Sequence, residues 1–354
     1  MSAAKPPSSH VDSHIELPAV LHAESQLQTY QQALPHGIEL SIRATGERGR
    51  PVLVFLHGFP EGAFVWDGLL THFAKPENGG YRCVAPNLRG FEKSSAPFDV
   101  AAYRAKHLVQ DVAALIAIES PNQPLAALVA HDWGGAVAWN LANQMPQLAH
   151  RLAIINSPHP GTFLRELKNS PAQQAASAYM NFLIRPDAEK LLAEDDFRRL
   201  WEFFTDFTGK PASESWLTED VKAQYRSVWN GPFGAAQPEQ AAATDEHAAQ
   251  TTQTALGAGL RGGCNYYRAS PLRPPTPSDP GAAAISLPHA MLTVSLPTLV
   301  LWAMNDIALP PALIDGLEDY IPHMELHRIH NATHWIVHEQ PALVADYLQK
   351  FLVR

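Results

Sequence analysis

The sequence has few cysteines, few charged residues and no long apolar run. Two cysteines among 354 residues exclude a disulfide framework and a zinc site. The count permits a single bridge, but two free thiols, typical of the cytoplasm, are the simpler interpretation. No window approaches the roughly 18 apolar residues of a membrane-spanning helix. The net charge is -9 and Lys and Arg form no block, which argues against nucleic acid or a membrane surface as partner.

The remaining composition is that of a globular protein. Hydrophobic residues make up 46% of the chain and charged residues 17%, enough apolar side chains for a sizeable core. Residues 1–27 form a polar extension without the apolar stretch of a signal peptide. We therefore expect a cytoplasmic protein that is a monomer or a homodimer.

Past this extension, short apolar runs typical of buried strands alternate with helical patterns. Strands are predicted at residues 38–44, 51–56, 81–85, 125–130, 152–156, 298–302 and 324–329. Helices are predicted at residues 63–73, 103–119, 134–144, 311–320 and 341–352. This alternation predicts an α/β fold with a mainly parallel sheet flanked by helices.

The middle of the chain has a different pattern. Helices are predicted at 179–192, 195–207 and 219–229, and five prolines between residues 271 and 280 exclude a helix interior or a central strand there. We interpret 160–290 as a helical cap inserted into a core formed by 28–159 and 291–354.

The segment Leu128-Val-Ala-His-Asp132-Trp-Gly-Gly135 carries the strongest chemical signal. A buried strand passes directly into a helix, and the small residues Ala130 and Gly134 bracket Asp132, as in the G-x-S-x-G nucleophile elbow. A carboxylate in place of serine displaces a leaving group at a saturated carbon and forms an alkyl ester. Epoxides and alkyl halides have such carbons. The alternative is that Asp132 only caps the following helix.

These features resemble the α/β-hydrolase superfamily, and within it the epoxide hydrolase branch, from about Gln28 to the C-terminus. In that branch His-Asp-Trp-Gly-Gly is a usual elbow. The segment Leu56-His57-Gly58-Phe59-Pro60-Glu61 resembles its oxyanion loop, with Pro60 in a strained, cis turn. The resemblance implies that the backbone N–H groups of Phe59 and Trp133 form the oxyanion hole. The side chains of the same two residues are expected to line the substrate pocket.

The resemblance also supplies a base and an acid. His334, in Ala332-Thr-His334-Trp, follows the last predicted strand, and Asp306 follows the strand before it. The order Asp132, Asp306, His334 is the nucleophile, acid and histidine order of this fold. His334 would activate water for ester hydrolysis and Asp306 would orient it. Some relatives carry the acid after the preceding core strand, where this chain has Asn156.

Two tyrosines distinguish the possible reactions, because epoxide opening leaves an alkoxide that needs an acid. Relatives use two tyrosine hydroxyls from the cap. The segments Tyr179-Met-Asn-Phe-Leu-Ile-Arg-Pro and Gly263-Cys-Asn-Tyr-Tyr267-Arg268 resemble those that carry them, and Tyr267 is preferred over Tyr266. The alternative is that both tyrosines only pack against cap helices.

The preferred hypothesis is an epoxide hydrolase (a hydrolase acting on ether bonds) that converts a small apolar epoxide and water to a vicinal diol, without a metal or other cofactor. A haloalkane or haloacid dehalogenase would use the same nucleophile, and a non-catalytic ligand receptor is the remote alternative. His57 is expected to brace the oxyanion loop, and His131 and His338 to make packing contacts or local hydrogen bonds. The aromatic candidates near the substrate are Phe59, Trp133, Trp201, Phe204 and Trp229.

Overall fold

The described residues form one eight-stranded sheet. The computed structural model describes residues 26–204, 216–231 and 258–353, so most of the predicted extension at 1–27 lies outside it. The strands are β1 (Gln28–Ala33), β2 (Glu39–Thr45), β3 (Val52–Leu56), β4 (Arg82–Pro86), β5 (Ala127–His131), β6 (Leu152–Ile155), β7 (Thr298–Ala303) and β8 (Met324–Ile329). Their spatial order is β1-β2-β4-β3-β5-β6-β7-β8. The β1–β2 and β2–β4 pairs are antiparallel and the other pairs are parallel, which confirms the predicted mainly parallel sheet.

The central strands are apolar over their whole length because helices cover the sheet. Every residue of β3, β5 and β6 is buried, as expected for strands of a parallel sheet. The α-helices are α1 (Asp67–Ala74), α2 (Ala105–Glu119), α3 (Asp132–Gln144), α4 (Pro160–Asn169), α5 (Pro171–Ala176), α6 (Tyr179–Leu183), α7 (Ala188–Phe203), α8 (Glu219–Trp229), α9 (Ala258–Ala269), α10 (Ile336–Glu339) and α11 (Pro341–Leu352). No described helix has the length and apolar character needed to cross a bilayer.

The segment between β6 and β7 contains α4 to α9, and its helices differ from the predicted ones. The predicted helix 179–192 is wrong, because α6 ends at Leu183 and α7 begins after Pro186 and Asp187. The predicted start of the next helix at Asp195 is also wrong. Asp195 lies inside α7, in a kink where it and the next two residues have φ angles of 53°, 53° and 62°. Residues 205–207 of that prediction lie outside the described part.

Two further predictions need correction. The predicted helix 311–320 is wrong, because Gly316 adopts a left-handed φ of 77° and separates two single 3₁₀ turns, Pro311–Ile314 and Leu317–Asp319. A continuous helix does not tolerate that conformation. Helix α9 was not among the predicted helices. Gly262 is required in it, since a Cβ atom there would lie 2.2 Å from the carbonyl oxygen of Gly90.

The parallel strands place five chemically important residues at one edge of the sheet. Gly58, Asp132 and Asn156 follow β3, β5 and β6, and Asp306 and His334 follow β7 and β8. In open α/β sheets the carboxyl ends of the strands border the ligand-binding crevice. The fold therefore brings together residues that are up to 276 positions apart in the chain.

Candidate active site

Asp132 lies at a sharp turn between β5 and α3. It is the first residue of α3 and has a φ angle of +48°. An ordinary helix N-cap has an extended backbone, so this conformation differs from the capping alternative. The turn requires small neighbours: a Cβ atom on Gly134 would lie 2.4 Å from the Leu56 carbonyl oxygen, and one on Gly135 would lie 2.3 Å from Cβ of Ser157. A non-glycine residue in this strained conformation is typical of a functional site.

Backbone N–H groups point at the carboxylate of Asp132. The N–H of Phe59 donates to its Oδ1 at 2.8 Å, and the N–H of Trp133 also hydrogen-bonds to it. A Cβ atom on Gly58 would lie 2.3 Å from the same oxygen, so only glycine permits this approach. The Phe59–Pro60 peptide is cis. The two predicted oxyanion donors therefore converge on one point beside the carboxylate.

His334 lies between two carboxylates. Its Nδ1 is 2.6 Å from Oδ2 of Asp306, and its Nε2 is 3.7 Å from Oδ2 of Asp132. Asp306 is fully buried, and its Oδ1 accepts the N–H groups of Ala308 and Leu309, each at 2.9 Å. The structure thus brings together the three residues of the predicted triad.

The carboxylates determine the charge of His334. Burial alone would lower its pKa, but the charge and hydrogen bond of Asp306 and the charge of Asp132 raise it to about 9. Burial raises the pKa of Asp132, against the opposing effects of His334, His131 and the two backbone N–H groups. For Asp306 burial also acts to raise the pKa, yet His334 and Asn156 bring it below its usual value. In the free protein near neutral pH, His334 is therefore an imidazolium that lies between two carboxylates.

Asn156 has a role that the sequence did not reveal. Its Nδ2 donates to Oδ2 of Asp306 at 2.8 Å, and its Oδ1 accepts the N–H of Ala303 at 2.9 Å. Asn156 therefore holds the acid in place from the neighbouring strand β6. The available signal was its position directly after a core strand, where some relatives carry the acid.

A third carboxylate, fully buried, lies near His334. Glu61 is fully buried, and its Oε2 is 2.8 Å from Nδ1 of His131. The other ring nitrogen of His131 lies 2.9 Å from the carbonyl oxygen of His334 and can only donate to it. Burial acts to raise the pKa of Glu61, but the charge of His131 and its hydrogen bond bring it to about 2. The pair fixes the backbone of His334, a role the sequence did not predict.

His57 and His338 make local packing contacts and hydrogen bonds. The N–H of Leu88 donates to Nε2 of His57 at 3.0 Å, so Nδ1 of His57 carries the proton and donates to the Gly58 carbonyl at 2.9 Å. Burial lowers the pKa of His57 to about 4, in keeping with a neutral ring bracing the loop. His338 hydrogen-bonds to the hydroxyl of Tyr225 at 2.7 Å and stacks on Trp216.

Tyr179 and Tyr267 face Asp132 from helices α6 and α9. Their hydroxyl groups hydrogen-bond to each other, and Tyr267 also accepts a hydrogen bond from the indole of Trp133. Burial raises the pKa of both hydroxyls, and the negative charge of Asp132 raises it further. Both hydroxyls therefore keep their protons at neutral pH. Tyr266 instead donates to the Arg89 carbonyl at 2.9 Å, which separates it from this pair.

A cavity of about 230 Å³ opens beside Asp132. Trp133 and Tyr179 border it, and Asn140, Phe163 and Leu272 are among the residues further along its wall. Of the side chains predicted to line the pocket, Trp133 does so, whereas Phe59 is buried and is not in this wall. Three further aromatic candidates are likewise not part of this wall and pack against one another instead: Trp201, Phe204 and Trp229.

Comparison with known proteins assigns this arrangement to a family. A family model described as the alpha/beta hydrolase fold matches residues 51–341. Human epoxide hydrolase 4 is 30% identical over 328 residues, which cover 91% of this chain and 78% of the human protein. This chain belongs to the epoxide hydrolase branch of the α/β-hydrolase superfamily.

Two further similarities extend over almost the whole of this hydrolase. The AB hydrolase superfamily protein YfhM of Bacillus subtilis (strain 168) is 31% identical over 318 residues, covering 90% of this chain and 95% of that protein. The crystal structure of a Bacillus megaterium epoxide hydrolase in complex with an inhibitor has a TM-score of 0.75 at 25% identity. The structural match covers 92% of this chain and 100% of the Bacillus megaterium chain. The similarity therefore includes both the sheet and the segment between β6 and β7.

Proposed function

We propose that this hydrolase converts epoxides to vicinal diols through an ester on Asp132. The observation that carries the proposal is the pair of protonated hydroxyls, Tyr179 and Tyr267, facing a carboxylate that His334 can later regenerate. The family membership supports the same reaction, because several of the relatives are epoxide hydrolases.

In the first step Oδ2 of Asp132 attacks an epoxide carbon and the C–O bond of the ring breaks. The leaving oxygen takes a proton from the Tyr179 and Tyr267 pair, so no free alkoxide forms. The hydrogen bond from Trp133 to Tyr267 stabilises the tyrosinate that results. Because Oδ1 is already held by the N–H of Phe59, Oδ2 is the oxygen that faces the substrate.

In the second step His334 takes a proton from water, and the hydroxide attacks Cγ of the ester. The oxyanion at the former Oδ1 remains held by the N–H groups of Phe59 and Trp133. Collapse of this intermediate releases the diol and restores the Asp132 carboxylate. In the collapse the hydroxyl proton of the intermediate passes to the departing diol oxygen, and His334 is left protonated, as in the free enzyme.

The charges prepare His334 for its role at the correct stage. In the free enzyme the carboxylates of Asp306 and Asp132 keep its pKa near 9, opposing its burial. Ester formation neutralises Asp132, so one of the two adjacent negative charges disappears and the pKa of His334 falls. His334 then gives its proton to the tyrosinate, so it becomes a neutral base only after the ester that it must hydrolyse has formed, and the protons balance over the cycle.

We further propose that residues 160–290 act as the cap of this site and 28–159 with 291–354 as its core. Helices α6 and α9 of that segment supply Tyr179 and Tyr267. A cytoplasmic location, suggested by the two free thiols Cys83 and Cys264, and a monomeric or homodimeric state remain predictions.

Dehalogenation is less well supported by the site. A halide would need donors beside the nucleophile, and the indole of Trp133 is already engaged with Tyr267. Phe59, whose backbone N–H also hydrogen-bonds to Asp132, has no polar side-chain atom that could bind a halide. The apolar surroundings and the two acids fit an epoxide better than a halide.

The direct test compares styrene oxide with a haloalkane such as 1-chlorohexane, following diol and chloride release. We expect diol formation only, and its loss in Asp132→Asn while the circular dichroism spectrum stays native. Chloride release without diol would identify a dehalogenase. Undiminished diol formation by Asp132→Asn, with the introduced asparagine shown by mass to be intact, would refute Asp132 as the nucleophile.

A further inference from the structure

Four aromatic rings beside Asp132 form a closed group, which we call the aromatic quartet: Phe59, Phe203, Tyr179 and Tyr267. The centroid distances around it are 6.4 Å for Phe59–Phe203, 5.8 Å for Phe203–Tyr179, 6.0 Å for Tyr179–Tyr267 and 5.3 Å for Tyr267–Phe59. Each adjacent pair is edge-to-face. Rings at these distances and angles leave no room for a further substituent between them.

Three of the four rings of the quartet, Phe59, Phe203 and Tyr267, are not part of the cavity wall. Of the four rings only Tyr179 borders the cavity described above. Phe203 is fixed on the side of the catalytic histidine, because the indole N–H of Trp335 donates to its carbonyl oxygen at 3.1 Å and Trp335 packs against the ring of His334. The kink of α7 at residues 194–197 directs the end of that helix to this place.

The cavity extends along α3. Its wall includes both Asp132 and Asn140, which are eight residues apart on the helix and therefore about 12 Å apart along its axis. Apart from Asp132, its wall contains no charged side chain among the described residues. A bound molecule therefore has space for one long, uncharged arm on this side.

We propose that the substrates are uncharged terminal epoxides, whose single substituent lies along α3, and that Phe203 excludes a substituent on the second ring carbon. This inference rests on the proposed function and names its substrate class. A terminal epoxide needs space on one side of the reacting carbons only. An epoxide substituted on both carbons needs space on both sides, and the rings of the quartet occupy the space beside the second carbon.

The test compares 1,2-epoxyoctane with trans-2,3-epoxynonane, which differs by one methyl group on the second ring carbon. We expect wild-type kcat/KM to favour the terminal epoxide by at least about tenfold, the scale of discrimination for one carbon in an apolar pocket. Phe203→Ala should raise the internal-to-terminal ratio about tenfold or more, and Phe203→Leu should raise it less. Phe163→Ala, a matched deletion in the cavity wall on α4, should leave that ratio within about threefold of wild type.

The outcomes separate this inference from the proposed function. Absence of diol from both epoxides with the wild-type enzyme would refute the proposed function itself. Equal wild-type rates on the two epoxides, or an unchanged ratio in Phe203→Ala with both epoxides turned over, would refute the inference alone. Loss of terminal-epoxide turnover in both Phe203 variants would also contradict it, because Phe203 would then belong to the machinery rather than to the wall.

Discussion

Replacement of Gly58 by alanine should displace the nucleophile without unfolding the enzyme. An added Cβ atom would lie 2.3 Å from both Cβ and Oδ1 of Asp132. Gly58 does not have a positive φ, so the backbone itself accepts alanine. The overlap must be relieved by a shift of roughly 1 Å in Asp132 or in the loop, and a shift of that size can cost about 100-fold in rate.

The assay for this prediction is kcat/KM on a terminal epoxide, together with thermal unfolding. We expect Gly58→Ala to lose about 100-fold in kcat/KM and roughly 1–3 kcal/mol of stability, the usual cost of overpacking. Gly68→Ala, on the exposed face of α1 where a Cβ atom meets no neighbour within 4 Å, should keep normal activity and stability. Wild-type kcat/KM in Gly58→Ala would refute the described position of Asp132.

Three other predictions address the acids and the base. Replacing both Tyr179 and Tyr267 by phenylalanine should reduce kcat/KM for the epoxide by roughly 10²–10⁴-fold, the contribution of general acid catalysis, and a near-normal rate would contradict their role as acids. Asp306→Asn should reduce kcat by roughly 10³–10⁴-fold in steady-state assays, because His334 loses the carboxylate that orients it; a loss below tenfold would argue against Asp306 as the acid. The pH profile of kcat should fall at low pH, where His334 is protonated, with an apparent pKa below the value near 9 expected from NMR titration of the free enzyme; equal values would mean that Asp132 keeps its charge throughout.

The candidate triad could be predicted because each member follows a recognisable strand and because the resemblance to the epoxide hydrolase branch implies a role for each of these positions. Apolar runs locate β5, β7 and β8, and the residues after them are Asp132, Asp306 and His334. Side chains that follow the strands of one parallel sheet meet at one edge of that sheet, so the fold class already implied that these three residues lie close together.

The residues that support these groups were not predictable in the same way. Glu61 and His131 pair across 70 positions of sequence inside the core, and neither periodicity nor spacing indicates that contact. Asn156 was recognised only by its position after β6. Its hydrogen bond to Asp306 depends on the register between β6 and β7, which one sequence does not specify.

Phe203 is the clearest case of information carried only by the three-dimensional structure. It reaches the site because α7 bends at three consecutive left-handed residues, among them the buried Phe197. Left-handed backbone is rare for residues other than glycine, asparagine and aspartate, and three such residues in a row that end in Phe197 are not predicted by any local pattern. Helical periodicity alone would place Phe203 elsewhere on a straight helix.

Intact mass spectrometry of His334→Gln mixed with a terminal epoxide tests whether a covalent ester forms on Asp132 and is hydrolysed by His334. We predict that the variant protein gains the mass of one epoxide molecule and that peptide mapping places the added mass on Asp132. The control Asp132→Asn, treated in the same way, should gain no mass. Unmodified His334→Gln, with an epoxide that the wild-type enzyme converts to diol, would contradict the two-step mechanism.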